Sequence, residues 1–117
     1  MEFKVEKKTG QVIVIHLKGR MIGEYETIPL NEQLEDLIEE NFVRIIFDLK
    51  ELEYMNSSGL NFFLKTLTKV RRLDGEVVIC AMNNLLETLM VTTKLSSFFT
   101  ICPTLDAALD HFEKEKA

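Results

Sequence analysis

Between Phe42 and Leu60 the chain passes from a short apolar run, Ile45-Ile46-Phe47, to a serine pair and a glycine, Ser57-Ser58-Gly59. The apolar run is too short for an ordinary helix and is bounded by polar residues, so it reads as a strand buried on both faces. After it, Leu60, Phe63, Leu64, Leu67 and Val70 recur at helical spacing, with Ser57 or Ser58 placed to cap the free N–H groups of the first turn. A phosphoryl group at that point would meet unpaired N–H donors and the positive end of the helix dipole.

The rest of the chain repeats the alternation of strand and helix. Phe3 to Glu6 and Gln11 to Leu17 read as an antiparallel hairpin closed by Lys7-Lys8-Thr9-Gly10. A loop follows from Gly19 to Glu26. Ile28, Leu30, Leu34, Leu37 and Ile38 then mark the inner face of a helix that Thr27 is placed to cap, that Pro29 enters near its first turn, and that ends near Asn41. The next strand covers Arg44 to Leu49, and the helix after Ser57 extends to about Leu73, where Asp74-Gly75 breaks it. Val77 to Ala81 is a further strand, and Leu85, Leu86, Leu89 and Met90 indicate another helix. After a loop at Lys94 to Ser97 come a short strand, Phe99 to Cys102, and a last helix capped by Thr104, burying Leu105, Ala108, Leu109 and Phe112 and fraying over Glu113 to Ala117. Strands joined by single amphipathic helices imply right-handed crossovers, hence an α/β fold with a mostly parallel sheet made mixed by the N-terminal hairpin. The expected inventory is about five strands and about four helices.

With 117 residues, 46% of them hydrophobic, the chain suits a single domain, residues 1–117, with a sizeable core. No apolar run approaches a membrane span and the N-terminus lacks a signal peptide's apolar core, so direct membrane insertion is not expected and a cytoplasmic location is. The net charge of −5 and the absence of a basic stripe argue against nucleic-acid binding. Cys80 and Cys102 lack Cys-x-x-Cys spacing and read as reduced core thiols. His16 and His111 have no second ligand at metal-site spacing and no nucleophile nearby in sequence. Neither a cofactor nor an enzymatic activity is expected. Glu35, Asp36, Glu39 and Glu40 follow helix-surface spacing, as a solvated face would.

The segment Met55-Asn56-Ser57-Ser58-Gly59-Leu60, with the glycine turn and strand Asp74-Gly75-Glu76-Val77-Val78-Ile79-Cys80 following at the expected spacing, resembles the signature of the STAS domain. That family includes the anti-sigma factor antagonists and the cytoplasmic tails of sulfate transporters, and the order of elements is similar from Val12 to about Phe112. The resemblance implies a STAS-like fold and makes Ser57, the first motif serine, the expected phosphoacceptor. It implies binding to an anti-sigma factor of the serine-kinase type, release of that factor on phosphorylation, and resetting by a metal-dependent serine phosphatase. Two positions depart from the family pattern: Asn56 stands where Asp is usual, and Gly19-Arg20-Met21-Ile22 stands where many antagonists have Gly-Glu-Leu-Asp.

From the residues alone Ser57 is simply a helix cap, a role compatible with phosphorylation. The expected partner surface comprises Asn56, Ser57, Ser58, Gly59, Leu60, Phe62 and Ile22. Phe62 falls nearly opposite the Leu60, Phe63, Leu64, Leu67 stripe, which suggests either a docking aromatic or a residue covered by another element. Ile22 is open to both an exposed and an inward position. The rival functional reading is a STAS scaffold subunit of a transporter or signalling assembly that is not phosphorylated; a small-ligand or enzymatic domain on the same fold is a third.

Overall fold

The computed structural model describes residues 1–116. One five-stranded sheet, in the order β1-β2-β3-β4-β5, carries four helices. The strands are β1 (Glu2–Lys8), β2 (Val12–Met21), β3 (Arg44–Met55), β4 (Glu76–Cys80) and β5 (Thr100–Cys102); the helices are α1 (Glu24–Glu39), α2 (Ser57–Arg71), α3 (Asn84–Thr92) and α4 (Leu105–Lys116). Only β1 and β2 are antiparallel; the other neighbours are parallel, so the mixed sheet expected from the sequence is present. The hairpin closes through Thr9, Gly10 and Gln11, with Gly10 at φ 76°. α4 runs through the segment expected to fray as far as Lys116; Ala117 lies outside the described residues.

Alternation along the central strands divides the core in two. Ile13, Ile15, Leu17, Ile45, Phe47, Val77 and Ile79 point towards α1, α2 and α3, whereas Val12, Val14, Ile46, Val78 and Cys80 point towards Ala108 and Phe112 of α4. Ile45, Ile46 and Phe47 are all fully buried, as the apolar run requires. Thr104 caps α4, its hydroxyl accepting from the Ala107 N–H at 3.1 Å.

Lys7 and Lys8, expected in the turn, pair with Ile13 and Val12 as part of β1, and the largest departures from the sequence reading lie at three other boundaries. β3 continues past Leu49 to Met55, bulging twice against β2, between His16/Lys18 and between Gly19/Arg20. Each bulge shifts which residues face the core, so the charged Lys50-Glu51 pair hides a strand that goes on to bury Leu52 and Met55. β2 reaches Met21, and α1 starts at Glu24, earlier than a Thr27 cap would allow. Thr27 is instead buried inside the helix with its hydroxyl donating to the Glu24 carbonyl, while Ile28 is 48% exposed.

Candidate functional site

β2 and β3 end together, with Met21 opposite Met55, and each turns directly into a helix. The starts of α1 and α2 therefore lie side by side at the carboxyl end of the sheet, where open α/β folds place their sites. Asn56 joins them with every polar group it has. Its N–H donates to the Met21 carbonyl at 3.2 Å and its carbonyl accepts from the Leu60 N–H at 3.1 Å. Its side-chain amide donates to the Ile22 carbonyl at 2.9 Å, and its side-chain oxygen accepts from the Ser58 N–H at 3.0 Å.

Asn56, then, is the N-cap of α2, in place of Ser57 or Ser58. Both residue types cap well, and which of the three residues does so follows from where β3 stops. An aspartate at 56 would keep the cap but lose the donor to Ile22, setting a carboxylate against a carbonyl oxygen. The departure from the family pattern thus has a local reason: the amide fastens the β2–α1 corner to the start of α2.

With the cap supplied by Asn56, Ser57 becomes the first residue of α2, and its side chain is exposed. Neither its hydroxyl nor that of the half-buried Ser58 has a hydrogen-bond partner among the described residues. Beneath them, Gly59 lets the helix settle onto the strand ends: a Cβ there would lie 2.8 Å from Met55 Cβ and 2.9 Å from Met21 Sδ. Gly59 and Leu60 are buried, so neither offers a side chain to a partner.

Phe62 is also buried, at 4% exposure, which removes it from the expected contact surface. Its ring packs edge-on against Phe47 and Phe63, with centroids 5.7 Å and 5.4 Å away. The buried face of α2 is centred on Gly59, Phe63, Thr66 and Val70, which leaves Leu64 half-buried at its rim. Gly59 and Thr66 carry no apolar signal, so the hydrophobic stripe read from the sequence was centred too far towards Leu64. Thr66 is tolerated inside because its hydroxyl donates to the Phe62 carbonyl at 2.9 Å.

The α1 side of the corner is built differently. Its N-cap, Gly23, supplies no side-chain bond. Glu26 reaches back instead, accepting from the Ile22 N–H and from the Met1 ammonium, both at 2.9 Å. Those contacts, the Ile22 bond foremost, hold its carboxyl below the usual carboxylate range. Ile22 points outward, 49% exposed, and Tyr25 is 87% exposed. Tyr25 was not singled out from the sequence, although it falls opposite the Thr27, Leu30, Leu34 stripe of α1. The first turn of α2 has no acidic residue, whereas that of α1 has Glu24 and Glu26.

Other reactive groups lie elsewhere. His16 bridges Asp48 at 2.7 Å and Glu6 at 2.6 Å, and His111 contacts Glu76. No group of three or more His, Cys, Asp or Glu among the described residues is placed to hold a metal. Cys80 and Cys102 are free thiols opposite one another on β4 and β5, and desolvation foremost pushes the Cys80 thiol up to about 12. No described helix is long and apolar enough to cross a membrane.

The family model of the STAS domain matches residues 4–108. The chain belongs to the STAS domain family. Among STAS relatives it is 24% identical over 113 residues to a Bordetella bronchiseptica protein named as an anti-sigma factor antagonist, BtrV, covering 97% of this chain and 96% of that one. The crystal structure of an anti-sigma factor antagonist from Mycobacterium paratuberculosis is similar with a TM-score of 0.78 and 26% identity, covering 94% and 92% of the two chains. Unphosphorylated SpoIIAA, an anti-sigma factor antagonist, shares the fold at a TM-score of 0.77 and 19% identity over 96% and 98%. Its phosphorylated form, from Bacillus, matches at 0.76 and 19% over 95% and 99%.

Proposed function

We propose that this STAS domain is an anti-sigma factor antagonist that acts in the cytoplasm and is switched at Ser57. The observation that carries the reading is the uncommitted hydroxyl of Ser57 on the first turn of α2, exposed beside the corner that Asn56 holds. Antagonists with similar chains and folds support it. In the unphosphorylated state the protein binds an anti-sigma factor of the serine-kinase type through Ser57, Asn56, Ser58 and the exposed apolar residues Ile22 and Tyr25.

In the switching step the Ser57 Oγ attacks the terminal phosphorus of ATP held by the kinase. An O–P bond forms, ADP leaves, and the hydroxyl proton passes to a base on the kinase. The phosphate adds roughly −1.5 to −2 charges to a contact built around a neutral hydroxyl. Free N–H groups of the first turn and the helix dipole favour that charge within the chain. The partner surface fitted to the hydroxyl disfavours it, and the complex separates. A metal-dependent serine phosphatase restores the binding state.

The test is direct. Incubation with the cognate kinase-type anti-sigma factor and ATP, followed by peptide mass spectrometry, should place one phosphate on Ser57. Modification at Ser58 alone would reject the assignment, and no modification by an otherwise active kinase would leave the scaffold reading in its place.

A further inference from the structure

A groove of about 680 Å³ runs between α1 and α2, within the ~300–1,000 Å³ range of ligand clefts. Its floor is apolar, formed by the buried Leu34 and Ile38 and the half-buried Leu64. The α2 side carries Lys65, Lys69 and Arg72. Glu35 of α1 pairs with Lys69 at 3.4 Å, whereas Lys65 and Arg72 have no hydrogen-bond or ion-pair partner among the described residues. Cations in the last turn of α2 complement its dipole, but that does not account for Lys65 in mid-helix or for Leu64 left half-buried at the rim. In a chain of net charge −5 this is a local basic surface.

The groove is continuous with the serine site. Ser57, Asn61, Leu64, Thr68 and Arg72 recur every three or four residues, so they form one stripe along α2 and its C-cap. That stripe is ~22 Å long at ~1.5 Å per residue. A stable protein complex covers ~800 Å² of each partner, which calls for a surface extending beyond a single residue cluster.

We infer that the α1–α2 groove is the second half of the docking surface and takes an acidic, amphipathic segment of the partner. This rests on the anti-sigma factor reading above. Apolar side chains of the segment cover the half-buried Leu64, and its carboxylates meet Lys65 and Arg72, the arrangement of a helix lying in a groove.

The test uses the full chain with Lys65→Glu and Arg72→Glu together, the neutral pair Lys65→Gln and Arg72→Gln, and Ser57→Asp, each checked by thermal unfolding. Each is titrated with the cognate kinase-type anti-sigma factor at low and at high salt. The reversal pair should weaken binding at least ~tenfold at low salt, the neutral pair less, and both should flatten the salt dependence. Should the reversal pair fail to fold, the neutral pair decides by its affinity and salt dependence. Wild-type affinity for the groove variants alongside lost affinity for Ser57→Asp would overturn the groove and leave the partner reading standing. If the wild-type chain fails to bind the cognate factor at either salt concentration, both fall.

Discussion

The two helix starts at the end of the sheet meet the same requirement in opposite ways. α2 begins under a neutral cap, Asn56, and has no carboxylate in its first turn; α1 begins at an uncapped glycine and turns the Glu26 carboxylate back onto Ile22. Both satisfy part of the N–H excess of a helix terminus or of the turn before it, but only the neutral arrangement leaves room for an added negative charge. The acidic arrangement instead holds a corner from which Ile22 and Tyr25 project. One start suits a modification site, and its neighbour suits a contact surface.

If α2 is the fixed member of the pair, its seat should be costly to disturb. Phe62→Ala, which empties the space between Phe47 and Phe63, should cost about 3–5 kcal/mol of folding stability in denaturant unfolding. A change below about 1 kcal/mol would place Phe62 outside the core and break the description of α2. Gly59→Ala comes next, at about 1–3 kcal/mol, because Met21 Sδ can yield but Met55 Cβ cannot.

The caps sharpen the comparison further. Asn56→Ala should cost about 0.5–2 kcal/mol, as loss of a side-chain cap does. Ser57→Ala, which removes a hydroxyl with no partner, should stay within about 0.5 kcal/mol of the parent. A larger loss for the serine than for the asparagine would return the cap to Ser57. The smallest effect is expected at the α1 start. The Glu26 carboxyl titrates lower in the folded chain than in the unfolded one, so its contribution is present above the unfolded carboxylate range and is lost as pH falls through the folded pKa. Glu26→Gln should remove that part of the acid-side slope in melting temperature, and an unchanged slope would show that the carboxylate does not hold the corner.

Much of this architecture is legible in the sequence because strands buried on both faces and one-sided helices leave strong periodic signals. Ile45-Ile46-Phe47 and Val77 to Cys80 declare the parallel centre, and Leu34, Leu37 and Ile38 declare the inner face of α1. The site was legible in position but not in detail. Three good capping residues in succession, Asn56, Ser57 and Ser58, cannot be ranked without knowing that β3 bulges twice and runs to Met55. Phe62 misled because a glycine and a threonine occupy the centre of the buried face. Tyr25 went unseen because α1 starts earlier than a Thr27 cap implies, held by a carboxylate three residues into the helix.

The central claim is that negative charge at Ser57, not loss of its hydroxyl, releases the partner. The most direct measurement is a binding titration of the wild-type chain, Ser57→Ala and Ser57→Asp against the cognate kinase-type anti-sigma factor without ATP, after equal unfolding curves have been confirmed. The account predicts near wild-type affinity for the alanine variant and at least ~tenfold weaker binding for the aspartate variant. Equal affinities for the two variants would contradict it.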